Sequence, residues 1–445
     1  KNSEFMKLLF ISLGCDKNLA DSEQMLGILR NKGYEFTDDE CEADIIVVNS
    51  CCFISDAKEE SINTILDMAQ CKTHYKCQAL IVTGCLAERY KEEIYKEIPE
   101  VDAVIGTSSY DAIAEAVEQA LEGKKPQVFK DLNRLSDIRT ERVVTTGGYF
   151  AHLKIAEGCD KHCTYCIIPK VRGNYRSVPM ENLIRQAKEL AEKGVKELIL
   201  VAQETTMYGK DIYGEKSLHK LLKELCKIQG IQFIRIMYCY PEEIYDELIQ
   251  TMKEEQKICH YLDMPIQHCN DAILKKMGRR TNKKEIQEIV TKLREAIPDI
   301  ILRTTLITGF PGETEDNFEE MMDFVDEMEF DRLGVFPYSP EEGTPAAEFP
   351  DQIDEEVKAD RQCEIMELQQ DIAFEKSERR IGQEMLAVIE GKVADENAYI
   401  GRTYMDAPNI DGYVFIHTDE ALMTGDFVKV KITASSDYDL IGELV

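Results

Sequence analysis

The sequence lacks several things that would decide its class at once. No apolar run approaches the roughly 18 residues a membrane span needs, and no charged-then-apolar leader precedes a cleavage site. A soluble cytoplasmic protein without a membrane partner is therefore expected. The five residues ahead of Met6 read as an addition before the natural start. Basic charge is scarce: 53 Lys and Arg stand against 84 Asp and Glu, a net charge of −31. Such a surface repels a phosphate backbone, which argues against nucleic acid as a direct partner and for a basic one. Low-complexity segments are also missing. Hydrophobic residues make up 44% and charged residues 31% of 445, an ordinary globular balance that favours a buried core over disorder. The length suggests about three domains.

Cysteine is what the chain has in excess. Fifteen is an odd number, and without a leader a disulfide framework is not expected. In a reducing compartment, clustered cysteines bind metal or do chemistry.

The organisation reads as α/β. Apolar runs at Lys7–Ile11, Asp44–Val48, Ala79–Val82 and Val101–Ile105 alternate with helical patterns, which predicts a parallel sheet covered on both faces. A polar break spans Asp131–Gly148. Six further strands are predicted at His152–Ile155, Leu198–Val201, Phe233–Ile236, Tyr261–Met264, Ile300–Arg303 and Leu333–Phe336. A helical pattern follows each, as in an incomplete (βα)8 barrel open on one side. Glu355–Arg380 reads as a long charged linker helix. From Gly382 onward, short β-rich runs with turn signals at Asp411-Gly412 and Thr424-Gly425-Asp426 predict a small antiparallel β-barrel. The expected boundaries are 6–135, 145–375 and 380–445.

Two sets of cysteines carry chemistry. Cys159, Cys163 and Cys166 form C-x3-C-x2-C directly after the first strand of the central unit. One loop of that spacing can wrap a compact cluster. Iron–sulfur sites usually have four cysteines, so three leave one iron without a protein ligand, open to a substrate's amine and carboxylate. A zinc knot is the competing reading, but it needs a fourth ligand, and His162 is poorly placed to be one. The second set is Cys15, Cys51 and Cys85, each just past the carboxyl end of a predicted parallel strand. That edge is where open α/β sheets put their ligand crevice. Free cysteines that merely pack would fall inside strands and helices more often, so the placement favours a second three-cysteine cluster. Cys41, Cys71, Cys77, Cys226, Cys239, Cys259, Cys269 and Cys363 share no ligand spacing and read as core or surface residues.

The C-x3-C-x2-C loop after the first strand of a six-unit βα domain resembles the radical S-adenosylmethionine (SAM) superfamily. That resemblance implies a 4Fe–4S cluster whose open iron chelates the methionyl end of SAM, and a 5′-deoxyadenosyl radical released on reduction. It also implies SAM contacts at Gln203, Glu204 and Thr205, after the second strand, and at Gly309 and Gly312 in Gly309-Phe310-Pro311-Gly312-Glu313, after the fifth. By itself that last segment reads as a tight βα turn.

Two three-cysteine sites followed by a small β-barrel are similar to the methylthiotransferases of that superfamily, over essentially Met6 to Val445. The similarity implies an auxiliary 4Fe–4S cluster on Cys15, Cys51 and Cys85, a radical cluster on Cys159, Cys163 and Cys166, and a terminal TRAM barrel. Cys52 departs from the glycine expected after the second auxiliary ligand. Family members act on tRNA adenosine or on a ribosomal protein. Gly382–Val445 holds twelve acidic residues against Lys392, Arg402, Lys429 and Lys431, the wrong sign for tRNA and the right one for a basic protein. An acidic face with no partner is the bland alternative. Asp263–His268, Tyr338–Thr344 and Gly401–Pro408 resemble the protein-modifying branch. The expected activity is methylthiolation of an aspartate of ribosomal protein S12, with a reductant such as flavodoxin. The rivals are a tRNA methylthiotransferase and a non-catalytic iron–sulfur electron carrier. Tyr208, Tyr238, Tyr240 and Lys275 are candidates for a substrate channel, with core or surface roles equally open.

Overall fold

The computed structural model describes residues 5–445, so four of the five residues ahead of Met6 lie outside the described residues. Six strands form the first sheet: β1 (Lys7–Ser12), β2 (Glu35–Phe36), β3 (Ile45–Ser50), β4 (Ala79–Gly84), β5 (Ala103–Ile105) and β6 (Gln127–Val128). Their order is β2-β1-β3-β4-β5-β6, and every pair is parallel. All six residues of β3 and of β4 are buried, because helices cover both faces. Helix α1 (Asp16–Asn31) follows β1, α2 (Ser55–His74) follows β3 and α3 (Cys85–Tyr90) follows β4.

The central sheet holds β7 (Phe150–Lys154), β10 (Glu197–Val201), β11 (Phe233–Ile236), β12 (Ile258–Asp263), β13 (Ile301–Thr308) and β14 (Arg332–Pro337). A short ribbon pairs β8 (Ala156–Glu157) with β9 (Arg176–Ser177). The order β14-β13-β12-β11-β10-β7 is the predicted half-open barrel of six parallel strands. Alternation along β10 sorts its residues: Leu198 and Leu200 join the core under the helices, while Ile199 and Val201 join a core shared with the C-terminal unit.

That last unit is a closed barrel of β15 (Glu384–Lys392), β16 (Ala398–Thr403), β17 (Val414–His417), β18 (Phe427–Ser436) and β19 (Asp439–Leu444). Its closure differs from the all-antiparallel expectation, since β17 and β19 pair in parallel. The segment after β16 plugs the inner face of the central sheet. Glu197 accepts from Arg402 at 2.7 Å and from Arg235 at 3.2 Å, with all three side chains 0% exposed. Arg303 pairs with Asp411 at 2.6 Å and Arg332 with Asp406 at 2.7 Å.

The helix read as a linker, Glu355–Glu378, is instead part of the central wall. It buries Lys358, Arg361, Ile365, Gln369 and Ile372. Lys358 donates to the Tyr338 carbonyl at 3.0 Å, and Arg361 pairs with Glu313 at 2.8 Å. Apolar periodicity missed it because much of its buried face is charged and satisfied by long-range partners.

Candidate metal centres

β1, β3 and β4 lie side by side, so their carboxyl ends deliver Cys15, Cys51 and Cys85 to one edge. Cys15 is the N-cap of α1 and Cys85 opens α3. The glycines before these two cysteines are required by the approach. Gly14 has φ +86°, and a Cβ there would sit 2.6 Å from the Cys51 Cβ and 2.8 Å from its Sγ. Gly84 has φ +93°, and a Cβ there would sit 2.4 Å from the Ser50 carbonyl oxygen. The turn at Gly14 therefore lies against the Cys51 side chain, and the neighbouring thiols raise Cys51 and Cys85 electrostatically beside the larger effect of burial.

A buried amide frame holds this edge. The Asn18 amide donates to the Leu13 carbonyl at 2.7 Å, and that of Asn49 donates to the Asn18 carbonyl at 3.0 Å and to Ser22 Oγ at 2.9 Å. Ser61 Oγ accepts from the Cys51 N–H at 2.9 Å and donates to its carbonyl at 2.8 Å. Sequence reasoning missed Asn18, Asn49 and Ser61. Their signal was a polar residue where an apolar strand or helix position was due. Cys52 is fully buried in an apolar cluster, and burial pushes its thiol up to about 12.

The second loop is built just as locally. Gly158 (φ +72°) brings the chain to 2.2 Å between its ideal Cβ and the Asn174 carbonyl oxygen, and the Cys159 N–H donates to Gly173 at 3.1 Å. His162 turns the loop at φ 52° and is exposed. The Cys166 N–H donates to the Cys163 carbonyl at 3.1 Å, and its sulfur accepts from the Ile168 N–H at 3.4 Å. Tyr240 Oη lies 3.7 Å from Cys163 Sγ. Burial pushes the Cys51 and Cys159 thiols up to about 11, and burial also raises those of Cys85 and Cys166. Among the described residues, no three His, Cys, Asp or Glu side chains converge on a single metal ion. An iron–sulfide cluster is larger than one ion, so its thiols need not converge on a point, and a set of three would hold it with one iron left open.

Of the remaining predicted residues, Glu204 and Gly312 connect to the second loop and the others are held elsewhere. Glu204 is buried, 3.8 Å from Lys161 of that loop, and burial pushes its carboxyl up to about 7 against the pull of Lys161. Gln203 is half-buried beside it. Thr205 spends its hydroxyl on the Met237 carbonyl at 2.7 Å, tying β10 to β11. Gly309 (φ +72°) donates its N–H to Glu313 at 3.0 Å. Gly312 (φ +87°) would put a Cβ 2.5 Å from Lys276 Nζ, and the Lys276 carbonyl accepts from Thr164 of the cysteine loop at 2.7 Å. Tyr208 spends its hydroxyl on the Val178 carbonyl at 2.7 Å, and Lys275 is exposed.

One member of the first thiol set shares a buried cluster with members of the second. Cys85 and Cys159 line one buried apolar cluster, with Cys166 packed against it. Arg172, at the end of the short helix after the cysteine loop, donates to Asp21 at 2.8 Å and to Asn18 at 3.1 Å, and its charge acts on Cys85. The charge of Lys17 on α1 acts on Cys166 across the boundary.

Family profiles match all three units: "Uncharacterized protein family UPF0004" over residues 7–106, "Radical SAM superfamily" over 153–325 and "TRAM domain" over 381–445. The structure of the radical SAM methyltransferase TsrM from Kitasatospora setae, with cobalamin and a 4Fe–4S cluster bound, has a TM-score of 0.55 at 13% identity. The match covers 78% of this chain and 77% of that one. It shows a shared fold. The half-open barrel and its three-cysteine loop thus define a radical SAM enzyme, a class that brings a 4Fe–4S cluster and SAM. A relative from Lachnoclostridium phytofermentans, called ribosomal protein uS12 methylthiotransferase RimO, is 64% identical over 437 residues, covering 98% of this chain and 99% of that protein. Relatives of the same name from Acetivibrio thermocellus and Clostridioides difficile are 52% and 50% identical, each over 99% of this chain and 98% and 99% of their own. The chain belongs to the ribosomal protein uS12 methylthiotransferase family.

Proposed function

We propose that the protein adds a methylthio group to the β-carbon of an aspartate in ribosomal protein uS12. The observation that carries this is the placement of Cys15, Cys51 and Cys85 at one sheet edge and of Cys159, Cys163 and Cys166 in one loop, with Cys85 and Cys159 of the two units lining a single buried apolar cluster. Cys159, Cys163 and Cys166 would hold the radical cluster, and Cys15, Cys51 and Cys85 an auxiliary one. Bound there, the clusters supply the electron that cleaves SAM and a place for the sulfur that is transferred, chemistry that acid–base groups cannot perform on an unactivated carbon. The chain itself positions and excludes water: four of the six thiols are buried against an apolar cluster or beside it. Glu204 and Gln203 offer acceptors for an amine beside the cysteine loop. At Gly309 and Gly312 the side-chain space is taken by Lys358 and by Lys276 Nζ, so a ligand reaching that backbone would have to displace these lysines.

Charge selects the substrate. Arg402, Asp406 and Asp411 are spent in the interface of the C-terminal barrel, and what remains outside stays strongly acidic. Such a surface suits a basic ribosomal protein and repels tRNA. No helix among the described residues is long and apolar enough to cross a membrane, which accords with action in the cytoplasm, with flavodoxin as a fitting reductant. Mass spectrometry of uS12 from a strain lacking this gene tests the reading. The methylthio mass increment should vanish from one aspartate and return with the gene; unchanged uS12, or loss of a tRNA modification instead, contradicts it.

A further inference from the structure

Lys17 is the second residue of α1 and is 7% exposed. Among the described residues its ammonium forms no ion pair; it rests 3.5 Å from the centroid of the Tyr238 ring. A buried charge without an opposite partner is costly, and a ring face only partly offsets it. The acids around it are engaged elsewhere. Asp16 faces His152 at 3.5 Å, while Asp263 faces Arg303 at 3.7 Å and accepts the Tyr238 N–H at 3.0 Å. Asp263 Oδ1 has no hydrogen-bond partner of its own.

Tyr238 itself is held in an unusual state. Its φ is 58°, a left-handed backbone that a bulky side chain adopts only under constraint. The Thr205 N–H fixes its carbonyl at 2.9 Å, and Asp263 fixes its N–H. The loop after β11 is thereby bent so that the ring lies under the ammonium. Lys17 is two residues from Cys15 in sequence, and its charge is felt at Cys166.

We propose that Lys17 anchors the side-chain carboxylate of the substrate aspartate, on the Tyr238 ring at the start of the helix that Cys15 caps. This rests on the reading of uS12 aspartate as the substrate. The carboxylate carbon is bonded directly to the β-carbon that exchanges hydrogen for sulfur, so one anchor on the carboxylate fixes the reacting carbon. The same contact selects aspartate over its neutral isostere asparagine, which brings no charge to a site already holding one.

The test measures binding, without turnover, on the iron-loaded full chain kept anaerobic. The ligands are unmodified uS12 and uS12 carrying asparagine at the modified aspartate. The wild-type protein should favour the aspartate form by about 10- to 100-fold, the range of a charge-assisted hydrogen bond. Lys17→Met should erase that preference by weakening the aspartate form alone, and Lys17→Arg should keep part of it. A Lys17→Met protein that retains the preference, weakens both forms equally, or loses iron overturns the proposal; iron loss assigns the ammonium to the thiols. A wild-type protein that binds both forms alike overturns the anchor and leaves the uS12 reading standing. Binding of neither form overturns both.

Discussion

At Cys51 and Cys159, burial holds the thiol protonated at neutral pH, near 11, so the proton must leave when a metal binds. Neighbouring residues with the same chemistry need not share the role. A Cβ on Gly14 would strike the Cys51 side chain, which puts Cys51, and not Cys52, against the Cys15 turn; burial in the apolar cluster does not separate the two roles, since Cys85 lines it as well. Cys52→Ala should keep the iron content of the wild type, and Cys51→Ala should lower it, as read by iron assay after anaerobic loading. Cys159→Ala should abolish formation of 5′-deoxyadenosine from SAM and dithionite; product at the wild-type rate would remove Cys159 from the radical centre. The six cysteines were legible in the sequence because their signals are local: a tight spacing in one loop, and a place after a strand in three others. Lys17 and Arg172 were not. Their partners Tyr238 and Asn18 lie far along the chain, the latter 154 residues away, and nothing within a helical turn of either residue announces them.

At the scale of the element, the strand–turn–helix junctions set how closely the cysteines can meet. Gly14→Ala combines a left-handed φ with contact on Cys51, and Gly84→Ala the same φ range with contact on the Ser50 backbone. Each should cost at least about 1–2 kcal/mol in chemical denaturation. Gly14→Ala should also lower auxiliary iron while SAM cleavage persists; an unaltered iron content would show that the turn has slack. The ten strands read from apolar runs are present with shifted ends, because burial on both faces writes a continuous apolar pattern. The edge strands Glu35–Phe36 and Gln127–Val128 have two residues each, too short to leave such a pattern. The helix Glu355–Glu378 was legible as a helix but not as a wall, since its buried Lys358 and Arg361 look like solvent-facing charge until Tyr338 and Glu313 are seen beside them. The parallel closing pair of the small barrel depends on tertiary geometry that no turn signal encodes.

For the molecule as a whole, buried ion pairs fasten the C-terminal barrel into the central sheet. Burial raises the Glu197 carboxyl, but Arg402 and Arg235 outweigh it and hold its pKa below the ordinary 4.5. A depressed carboxylate contributes stability that is present above 4.5 and lost as pH falls through its lower folded value. Glu197→Gln leaves the buried Arg235 guanidinium without a carboxylate and Arg402 with Glu390 alone, and should cost about 3 kcal/mol at pH 7 by denaturation, a gap that narrows as pH drops below 4.5. An equal gap at pH 7 and pH 3 would contradict the pairing. At the other boundary Arg172 ties the cysteine-loop unit to α1 through Asp21 and Asn18, and the whole account rests on the two thiol sets being two separate cluster sites. The most direct measurement is iron per chain in anaerobically reconstituted protein, wild type against the Cys15→Ala, Cys51→Ala, Cys85→Ala triple variant. About eight irons falling to about four, with 5′-deoxyadenosine still formed, is the predicted result; a wild type holding only about four, or a triple variant that keeps its full complement, would contradict it.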